Sequence, residues 1–364
     1  MAKILLIDTS LDGHHEEYLV ALHDACILAG FEPIVLVPER CKKLAEDKQR
    51  VIPEIKTSKT LSWCLCFHSI VQRVAKEEEA IAIHYAYGDA LYRFFGLGLV
   101  KKPNVAVTAT FHQFRRSILR DLSLKRILDK TDVCVVHTDE LASEALDLGA
   151  EKVSTVLYPS FHSTEKLSSE CKAHFGVSED SPCISAIGSA RWDKGLDILA
   201  DALSGIDEPW QLLVAGSEDD FTEGEIKEIL GDKASRAAFT MRYLSDEEVA
   251  MAIAASEIVC CPYRKVFNGA SGPMTEGIAQ RKTIVGPSHG SLGELLQSRN
   301  VGYSFEAEDA DDLRRALRGA LGAPIKYDLE AAEFASRLTR PRFVEDYAAI
   351  YGSCYRKLRA KGLN

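Results

Sequence analysis

Short apolar runs alternate with amphipathic stretches along the chain. In the first half, the apolar runs predict six strands: Lys3–Ile7, Pro33–Val37, Ala80–His84, Val105–Thr110, Val133–His137 and Val153–Leu157. Between several of them, apolar residues recur at three- and four-residue spacing, which predicts helices over Glu16–Ala29, Leu61–Lys76 and Asp139–Leu148. Strands that are apolar throughout and alternate with helices are typical of a parallel sheet covered on both faces.

A polar stretch at 160–170 interrupts this alternation, which then restarts. The second half predicts strands and helices in the same alternation: Ile184–Ile187, a helix from near Leu196, Gln211–Ala215, Glu223–Leu230, Ala238–Met241, Asp246–Ala255 and Ile258–Cys261. A chain of 364 residues exceeds the size at which single cores usually stop growing. We therefore predict an α/β protein with two doubly wound domains, 1–160 and 161–335. In the remaining tail, aromatic residues four apart predict one helical stripe that serves as a docking face: Phe343, Tyr347, Tyr351 and Tyr355.

The net charge and the distribution of apolar residues exclude several classes of function. The formal net charge of −10 argues against a nucleic-acid partner. No run approaches the roughly 18 apolar residues of a membrane span, and the N-terminal strand turns polar at once, which predicts no secretory signal. We expect a cytoplasmic protein whose ten cysteines are reduced. A basic cluster predicts either a solvated helix face, which we favour, or a weak peripheral membrane contact: Arg115, Arg116, Arg120, Lys125 and Arg126.

The Gly-rich segment 267–281, between two apolar strands, is the most informative. Pro273 suits the first position of a helix, which leaves Ser271 and Gly272 at or before its cap. Free amides at a helix start attract an anion, and glycine lets a phosphate approach the backbone. Glu276 would repel phosphate, but in the first turn its carboxylate can accept hydrogen bonds from two sugar hydroxyls. The segment predicts a site for ribose joined to phosphate, and hence for a nucleotide.

A second set of predicted ligand-binding residues follows the strand Ile184–Ile187. Gly188 allows a ligand to approach the strand end closely. Arg191 and Lys194 are three apart, so they would share one face of a first helical turn. Two cations at the carboxyl end of a parallel strand suit a diphosphate. A solvated surface pair is the alternative.

Histidines follow two strands of the first half. Gly13 and His14 lie in the turn after the first strand, where we expect hydrogen bonding to a ligand or, alternatively, a capping role. That turn has neither a GxGxxG nor a P-loop pattern, so neither dinucleotide binding nor ATP hydrolysis is indicated. Adjacent histidines point in different directions, and no third ligand has a recognisable spacing, so we predict no metal site. His112 lies just past another parallel strand, a position that faces a ligand crevice.

Taken in their order along the chain, the motifs resemble those of the large group 1 (family 4) of retaining GT-B glycosyltransferases. The resemblance covers almost the whole chain and is strongest over 186–305. It rests on an ordered set: Gly13-His14 with Tyr18, Phe111-His112, Arg191-x-x-Lys194-Gly195, Leu213-Val-Ala-Gly216, Tyr243-Leu-Ser-Asp-Glu-Glu248 and the Gly-rich helix with Glu276. It implies a GT-B fold with two facing Rossmann-like domains, the acceptor side first and the donor side second. It also implies that the last helix, 336–364, crosses back to the first domain.

The resemblance also implies roles. Arg191 and Lys194 would hold the diphosphate of the donor, Glu276 its ribose hydroxyls, and His112 would lie near the transferred sugar. Residues that complete the donor site would be Gly13, His14, Gly188, Ser271 and Gly272; the first two would also lie near the acceptor. The implied activity is hexose transfer with retention, without metal or cofactor. The donor would be a nucleoside-diphosphate sugar, and the acceptor a glycan, a lipid-linked sugar or a small molecule.

One position departs from the family pattern. The family usually carries a glutamate eight residues before the ribose-binding one, where it contacts the donor sugar; here that position is Asn268. An amide keeps hydrogen-bonding capacity but lacks the negative charge near an oxocarbenium-like transition state. We take Asn268 and His112 as catalytic candidates. Asn268 also supports an alternative, a noncatalytic nucleotide-sugar binding protein. A sugar-nucleotide 2-epimerase is a further alternative, against which the Arg-x-x-Lys-Gly element argues.

Overall fold

A computed structural model describes residues 1–11, 15–58, 60–91, 101–114, 117–267 and 269–361, with the backbone alone at 89, 90 and 356–361. The chain divides into two compact units. Unit 1 comprises Met1–Leu157 together with Arg340–Asn364, and unit 2 comprises Tyr158–Thr339. The first unit is therefore built from both ends of the chain.

Unit 1 contains a seven-stranded parallel sheet with the order β3-β2-β1-β4-β5-β6-β7. Its strands are β1 (Lys3–Ile7), β2 (Glu32–Val37), β3 (Gln49–Val51), β4 (Ala80–Tyr85), β5 (Ala106–Phe111), β6 (Val133–Val136) and β7 (Val153–Thr155). The helices between them are α1 (His15–Leu28), α2 (Leu61–Glu77), α3 (Ile118–Leu128) and α4 (Asp139–Asp147). The predicted elements are present; β7 ends two residues earlier than predicted.

Unit 2 contains a six-stranded parallel sheet with the order β10-β9-β8-β11-β12-β13. Its strands are β8 (Cys183–Ile187), β9 (Gln211–Ala215), β10 (Ala237–Thr240), β11 (Ile258–Cys260), β12 (Thr283–Pro287) and β13 (Gly302–Phe305). Its helices are α5 (Ser168–Phe175), α6 (Leu196–Ser204), α7 (Glu223–Leu230), α8 (Asp246–Ala254), α9 (Gly272–Ala279), α10 (Gly290–Arg299), α11 (Ala310–Gly322) and α12 (Leu329–Arg337).

The last helix, α13 (Arg340–Lys361), belongs to unit 1, where it packs against α1 and β4. Its aromatic stripe is buried: Phe343 is 1% exposed and Tyr347, Tyr351 and Tyr355 are 0% exposed. The predicted docking face is confirmed, because these rings pack into the core of unit 1.

Local sequence explains where many helices begin. Thr222 and Ser245 accept hydrogen bonds from backbone amides three residues on, and Glu225 and Glu248 bond back to them, so α7 and α8 start with capping boxes. The central strands are buried on both faces, which is why they are apolar throughout. None of the ten cysteines forms a disulfide bond in the described structure. Within the described ranges, no helix has the length and apolarity needed to cross a bilayer.

Candidate functional site

In unit 2 the order of the strands reverses beside β8. The chain goes from β8 to β9 on one side of the sheet and later returns to β11 on the other side. Such a reversal opens a crevice at the carboxyl ends of the strands. Here the crevice contains a cavity of about 20 Å³ whose lining includes Gly188, Ser189, Lys194, Pro262 and Tyr263.

Glycines allow the backbone to close tightly around this crevice. Gly188, Gly195 and Gly216 have φ angles of +107°, +65° and +146°, which L side chains rarely adopt. A Cβ atom on Gly195 would overlap the carbonyl oxygen of Pro262, and one on Gly216 would overlap the backbone of Gly188. A Cβ atom on Gly188 would instead meet the ammonium group of Lys194. The first two glycines shape the backbone, whereas Gly188 leaves room for the lysine.

Lys194 places a buried positive charge in the crevice. Among the described residues, none forms a hydrogen bond or an ion pair with its Nζ. Burial, and after it the nearby positive charge of Arg191, lower the pKa of this ammonium group from 10.5 to about 8. A desolvated cation with no anionic partner favours an anionic ligand, since charge-assisted hydrogen bonds would restore the lost solvation.

In unit 1 the strand order reverses between β1 and β4. Asp8 follows β1 and is 1% exposed. Both of its carboxylate oxygens lie 3.0 Å from Nδ1 of His15, the first residue of α1. The ring of His15 stacks on Tyr87 at 3.7 Å, and Tyr87 stacks on His112 at 3.9 Å. The edge of this sheet thus carries a stack of three rings.

A network of hydrogen bonds lies beneath this stack. Tyr18 and Tyr347 share a hydroxyl–hydroxyl bond of 2.6 Å, and Tyr347 also lies 2.8 Å from the hydroxyl of Thr110. His84 contacts Thr110 through Nε2 at 2.9 Å and the hydroxyl of Tyr351 through Nδ1 at 2.6 Å. Burial lowers the pKa of His84 to about 3, so it is neutral near pH 7. Neutral, buried partners of this kind fix the position of α13.

A family model matches most of the sequence of unit 2. Residues 181–322 match the model of the family described as Glycosyl transferases group 1. They form a group 1 glycosyltransferase domain. The matched stretch runs from just before β8 to the end of α11 and contains the crevice with Lys194.

Similar proteins extend the comparison. A glycogen synthase from Rhizobium tropici is 24% identical over 197 residues, which are 50% of this chain and 40% of that protein. A sucrose-phosphate synthase from Thermosynechococcus elongatus superposes with a TM-score of 0.75 at 18% identity, over 99% of this chain and 100% of the other. HepE from Anabaena in complex with UDP superposes with a TM-score of 0.76 at 15% identity, over 97% and 100%. The predicted GT-B fold is confirmed.

Within the group 1 domain, the predicted position of Arg191 is wrong. Arg191 precedes a 3-10 turn at Trp192–Lys194, and α6 begins only after Gly195, whose left-handed backbone interrupts the helical path. The guanidinium group of Arg191 donates to both carboxylate oxygens of Asp193, at 2.9 and 2.8 Å. One of the two predicted cations is therefore neutralised within the chain, and the other is not.

The start of α9 also differs in detail. Ser271 is the cap, Gly272 the first residue and Pro273 the second, one position later than predicted. The Ser271 hydroxyl accepts from the amide of Met274 at 3.2 Å and bonds the hydroxyl of Tyr263 at 2.9 Å. Its carbonyl accepts from the amide of the fourth helical residue at 2.9 Å. Most amides at this helix start thus have partners, so they attract an anion less strongly than we expected.

Glu276 is the fifth residue of α9, beyond the first turn where we expected it, and is 2% exposed. Its Oε1 accepts from the amide of Phe161 at 2.9 Å, the amide of His162 at 3.3 Å and Nδ1 of His162 at 2.8 Å. Its Oε2 accepts from the hydroxyl of Ser160. The sequence had no local sign of this contact, because its partners are far apart along the chain.

The remaining predicted residues divide into two groups. His112 lies at the edge of the unit 1 sheet as expected, with Nε2 3.2 Å from the carbonyl of Ala86. Burial and the nearby His137 keep the pKa of His112 well below 6.5, so its ring is neutral. Gly13, His14 and Asn268 lie outside the described residues, and their roles stay predictions. The sequence analysis overlooked Asp8, although an acidic residue directly after a parallel strand is a recognisable signal.

Proposed function

We propose that this protein transfers a hexose from a nucleoside-diphosphate sugar to an acceptor hydroxyl, with retention of anomeric configuration. The observation that carries this proposal is the unpaired ammonium group of Lys194 at the strand reversal of a group 1 glycosyltransferase domain. The related fold of HepE occurs in complexes with UDP and with UDP-glucose. A nucleoside diphosphate supplies the anion that Lys194 lacks.

The donor-binding residues have distinct roles in this proposal. Lys194 binds the diphosphate and stabilises the charge that develops on the departing nucleoside diphosphate. Gly188 lets a phosphate approach the backbone, beside the start of α9 with Ser271 and Gly272. Arg191 can bind the diphosphate together with Lys194 only if its guanidinium group gives up the ion pair with Asp193. Because these groups supply the positive charge, the proposed transfer needs no resident metal.

Glu276 is the proposed ligand of the ribose hydroxyls, and it has competing partners. Ribose binding to Oε2 would replace the hydroxyl of Ser160, whereas the three donors to Oε1 can stay. The proposal therefore predicts that Ser160→Ala strengthens nucleotide binding, while Glu276→Gln weakens it. Calorimetry with both variants tests this role; equal affinities would argue against it.

Titration calorimetry with UDP, GDP, ADP and their sugars tests the function itself. We expect one base to bind more tightly than the others. Donor turnover with and without EDTA then tests metal independence, and NMR of the product's anomeric proton reports retention or inversion. A protein that binds none of these nucleotides and consumes none of these donors would disprove the proposal.

A noncatalytic nucleotide-sugar binding protein is the second candidate, and Asn268 favours it because the family usually has glutamate there. Both candidates predict that the protein binds a nucleotide sugar, but only the transferase consumes it. Binding without hydrolysis or transfer, in the wild type, would support the second candidate.

We also propose a weak contact of α3 with anionic membrane surfaces. Ile118, Leu119 and Leu122 are 90%, 81% and 49% exposed. Lys125 and Arg126 are exposed on the same helix face. Apolar side chains beside basic ones on one helix face are typical of binding at the surface of an anionic bilayer.

Sedimentation with lipid vesicles tests this contact. We expect binding to vesicles rich in phosphatidylglycerol and not to phosphatidylcholine vesicles, and loss of binding in Ile118→Ser/Leu119→Ser. Leu329→Ser is a matched control, because this leucine is 85% exposed in unit 2. No binding to either vesicle would leave α3 as a solvated face.

A further inference from the structure

We propose that the start of α10 in unit 2 is a binding site for a phosphate group. None of the donor-binding roles assigned above uses a residue of α10, so this site goes beyond the proposed transfer. Polar groups without a partner are concentrated there on four consecutive residues, 289–292. Such groups are costly in a folded protein unless a ligand or water supplies their hydrogen bonds.

Three backbone amides at the start of α10 have no acceptor. His289 has an extended backbone, with φ −104° and ψ 162°, but its side chain makes no capping bond. The amide of Gly293 is the first to donate within the helix, to the carbonyl of His289 at 3.1 Å. No described residue accepts from the amides of Gly290, Ser291 and Leu292. In a helix of ten residues, free amides and aligned peptide dipoles attract an anion.

Buried side chains are a second, independent sign of a ligand. Ser291 is 5% exposed, and its hydroxyl is buried without a hydrogen-bond partner among the described residues. A serine hydroxyl reaches its own and neighbouring backbone groups, so it borders the free amides of this turn. In the same described part of the chain, both ring nitrogens of His289 are also buried and unpartnered. With no hydrogen bond to hold it, this ring turns aside as a ligand enters.

The free groups suit a phosphate. The amides, the hydroxyl of Ser291 and one ring nitrogen of His289 all donate hydrogen bonds, and a phosphate group offers several strong acceptor oxygens. The start of α9 is less suitable, because the hydroxyl of Ser271 already accepts from the amide of Met274. We therefore assign the phosphate to α10.

The site is separate from the crevice of Lys194. β12 leads into α10, and β11 lies between β12 and β8, the strand that Lys194 follows. Neighbouring strands are about 4.8 Å apart, so the ends of β8 and β12 are roughly 10 Å apart. Unit 2 thus has two positions for an anion on one edge of its sheet.

Acidic groups near this turn lower the affinity without preventing binding. The carboxylate of Glu306 accepts from the hydroxyl of Ser288 at 3.4 Å, and Lys265 neutralises it at 2.8 Å. Glu294, in the second turn of α10, is exposed, so water and salt screen its charge. Glu294→Gln should therefore bind phosphate more tightly than the wild type.

Calorimetric titration with inorganic phosphate at constant ionic strength is the first test. We expect the wild type to bind phosphate and Ser291→Ala to bind it about tenfold more weakly, because one hydrogen bond to a charged group is lost. Ser298→Ala is the matched control: it changes an exposed serine in the last turn of the same helix and should leave the affinity unchanged. No binding by the wild type, or equal affinity in Ser291→Ala, would overturn the proposal.

The crevice of Lys194 is another place where phosphate can bind, so the comparison is repeated in Lys194→Met. The effect of Ser291→Ala should persist there, because the two positions share no residue. Loss of all phosphate binding in Lys194→Met would assign the phosphate to the crevice and overturn the site at α10.

His289→Asp distinguishes a ligand site from an uncapped helix start. Aspartate is a preferred cap residue, because its carboxylate accepts from amides of the first turn, and the extended backbone at position 289 suits a cap. We expect thermal unfolding at a higher temperature together with phosphate binding that is weaker by more than about tenfold. Undiminished phosphate binding in His289→Asp would contradict the site.

Competition identifies the molecule that carries the phosphate. If α10 binds a phosphate of the nucleotide, UDP, GDP or ADP displaces inorganic phosphate, and Ser291→Ala also weakens nucleotide binding. If it binds a phosphorylated sugar, glucose 6-phosphate displaces phosphate and the nucleotides do not. Either result supports the site. Phosphate binding without nucleotide binding or donor turnover would disprove the transferase function alone, and the reverse result would overturn the site alone.

Discussion

Units 1 and 2 each contain a parallel sheet whose strand order reverses beside the unit's first strand, yet the two carboxyl edges carry different chemistry. In unit 2 the edge has glycines and the unpaired cation Lys194. In unit 1 it has the Asp8–His15 pair and stacked rings above a buried network. The same topology therefore offers a crevice twice, and the side chains decide what each crevice can bind.

The two edges differ in backbone and in charge. A diphosphate needs close backbone approach and positive charge, which glycine and lysine supply. A buried carboxylate that contacts a histidine, by contrast, sets the orientation of its ring. In unit 2 no described residue bonds the ammonium group of Lys194, whereas in unit 1 the helix α13 supplies partners to the buried side chains of Tyr18, His84 and Thr110.

The largest expected loss of stability tests how tightly the backbone is packed at the carboxyl edge of the unit 2 sheet. Gly195→Ala should destabilise the protein by about 3 kcal/mol, because the new methyl group meets the Pro262 carbonyl in a left-handed conformation. Gly176→Ala is the matched control: its φ is similarly +70°, but nothing lies near the new methyl group. It should cost only about 1 kcal/mol. If urea unfolding shows that both variants lose the same free energy of unfolding, Gly195 is not tightly packed against Pro262.

The next prediction concerns the charge in that edge. Lys194→Met should weaken binding of the preferred nucleoside diphosphate by about 100-fold, because it removes a charge-assisted contact worth about 2.7 kcal/mol. Without nucleotide the same variant should be more stable than the wild type at pH 7, since no desolvated charge remains. Calorimetric titration and thermal unfolding measure the two effects.

The stability difference should depend on pH in a defined direction. The pKa of Lys194 is lowered from 10.5 in the unfolded chain to about 8 in the folded protein. Between these values the unfolded state binds more protons, so the stability of the wild type rises with pH. Its disadvantage relative to Lys194→Met is complete below about pH 8 and fades toward pH 10.5.

The smallest expected effect tests the buried hydrogen-bond network of unit 1. Tyr351→Phe removes the partner of His84 Nδ1 and leaves a buried nitrogen without its hydrogen bond. We expect a loss of about 1.5 kcal/mol in the free energy of unfolding, with nucleotide affinity unchanged. Tyr243→Phe, at a tyrosine 74% exposed, should change stability by less than about 0.5 kcal/mol. An unaffected Tyr351→Phe would mean that the network does not hold α13.

The spacing of apolar residues predicted most of the fold, because it reflects which face of each strand or helix is buried. The apolar runs and three- to four-residue spacing located strands and helices, and the spacing of Phe343 and the tyrosines after it predicted a buried stripe. Gly188 and Lys194 line the crevice of unit 2, as expected for residues that follow a parallel strand. The position of Arg191 was mispredicted because Gly195 adopts a left-handed conformation that no periodicity reveals.

By itself, then, the sequence determined the fold class and predicted the strand ends at which a ligand would bind and the positive charge that suits a diphosphate. These follow from periodicity and residue type. Only the tertiary structure decided which polar groups are already paired: Arg191 with Asp193, Glu276 with the segment 160–162, and His15 with Asp8. Pairing depends on contacts between residues brought together by folding, and in the crevice of unit 2 it left Lys194 without a hydrogen-bond partner among the described residues.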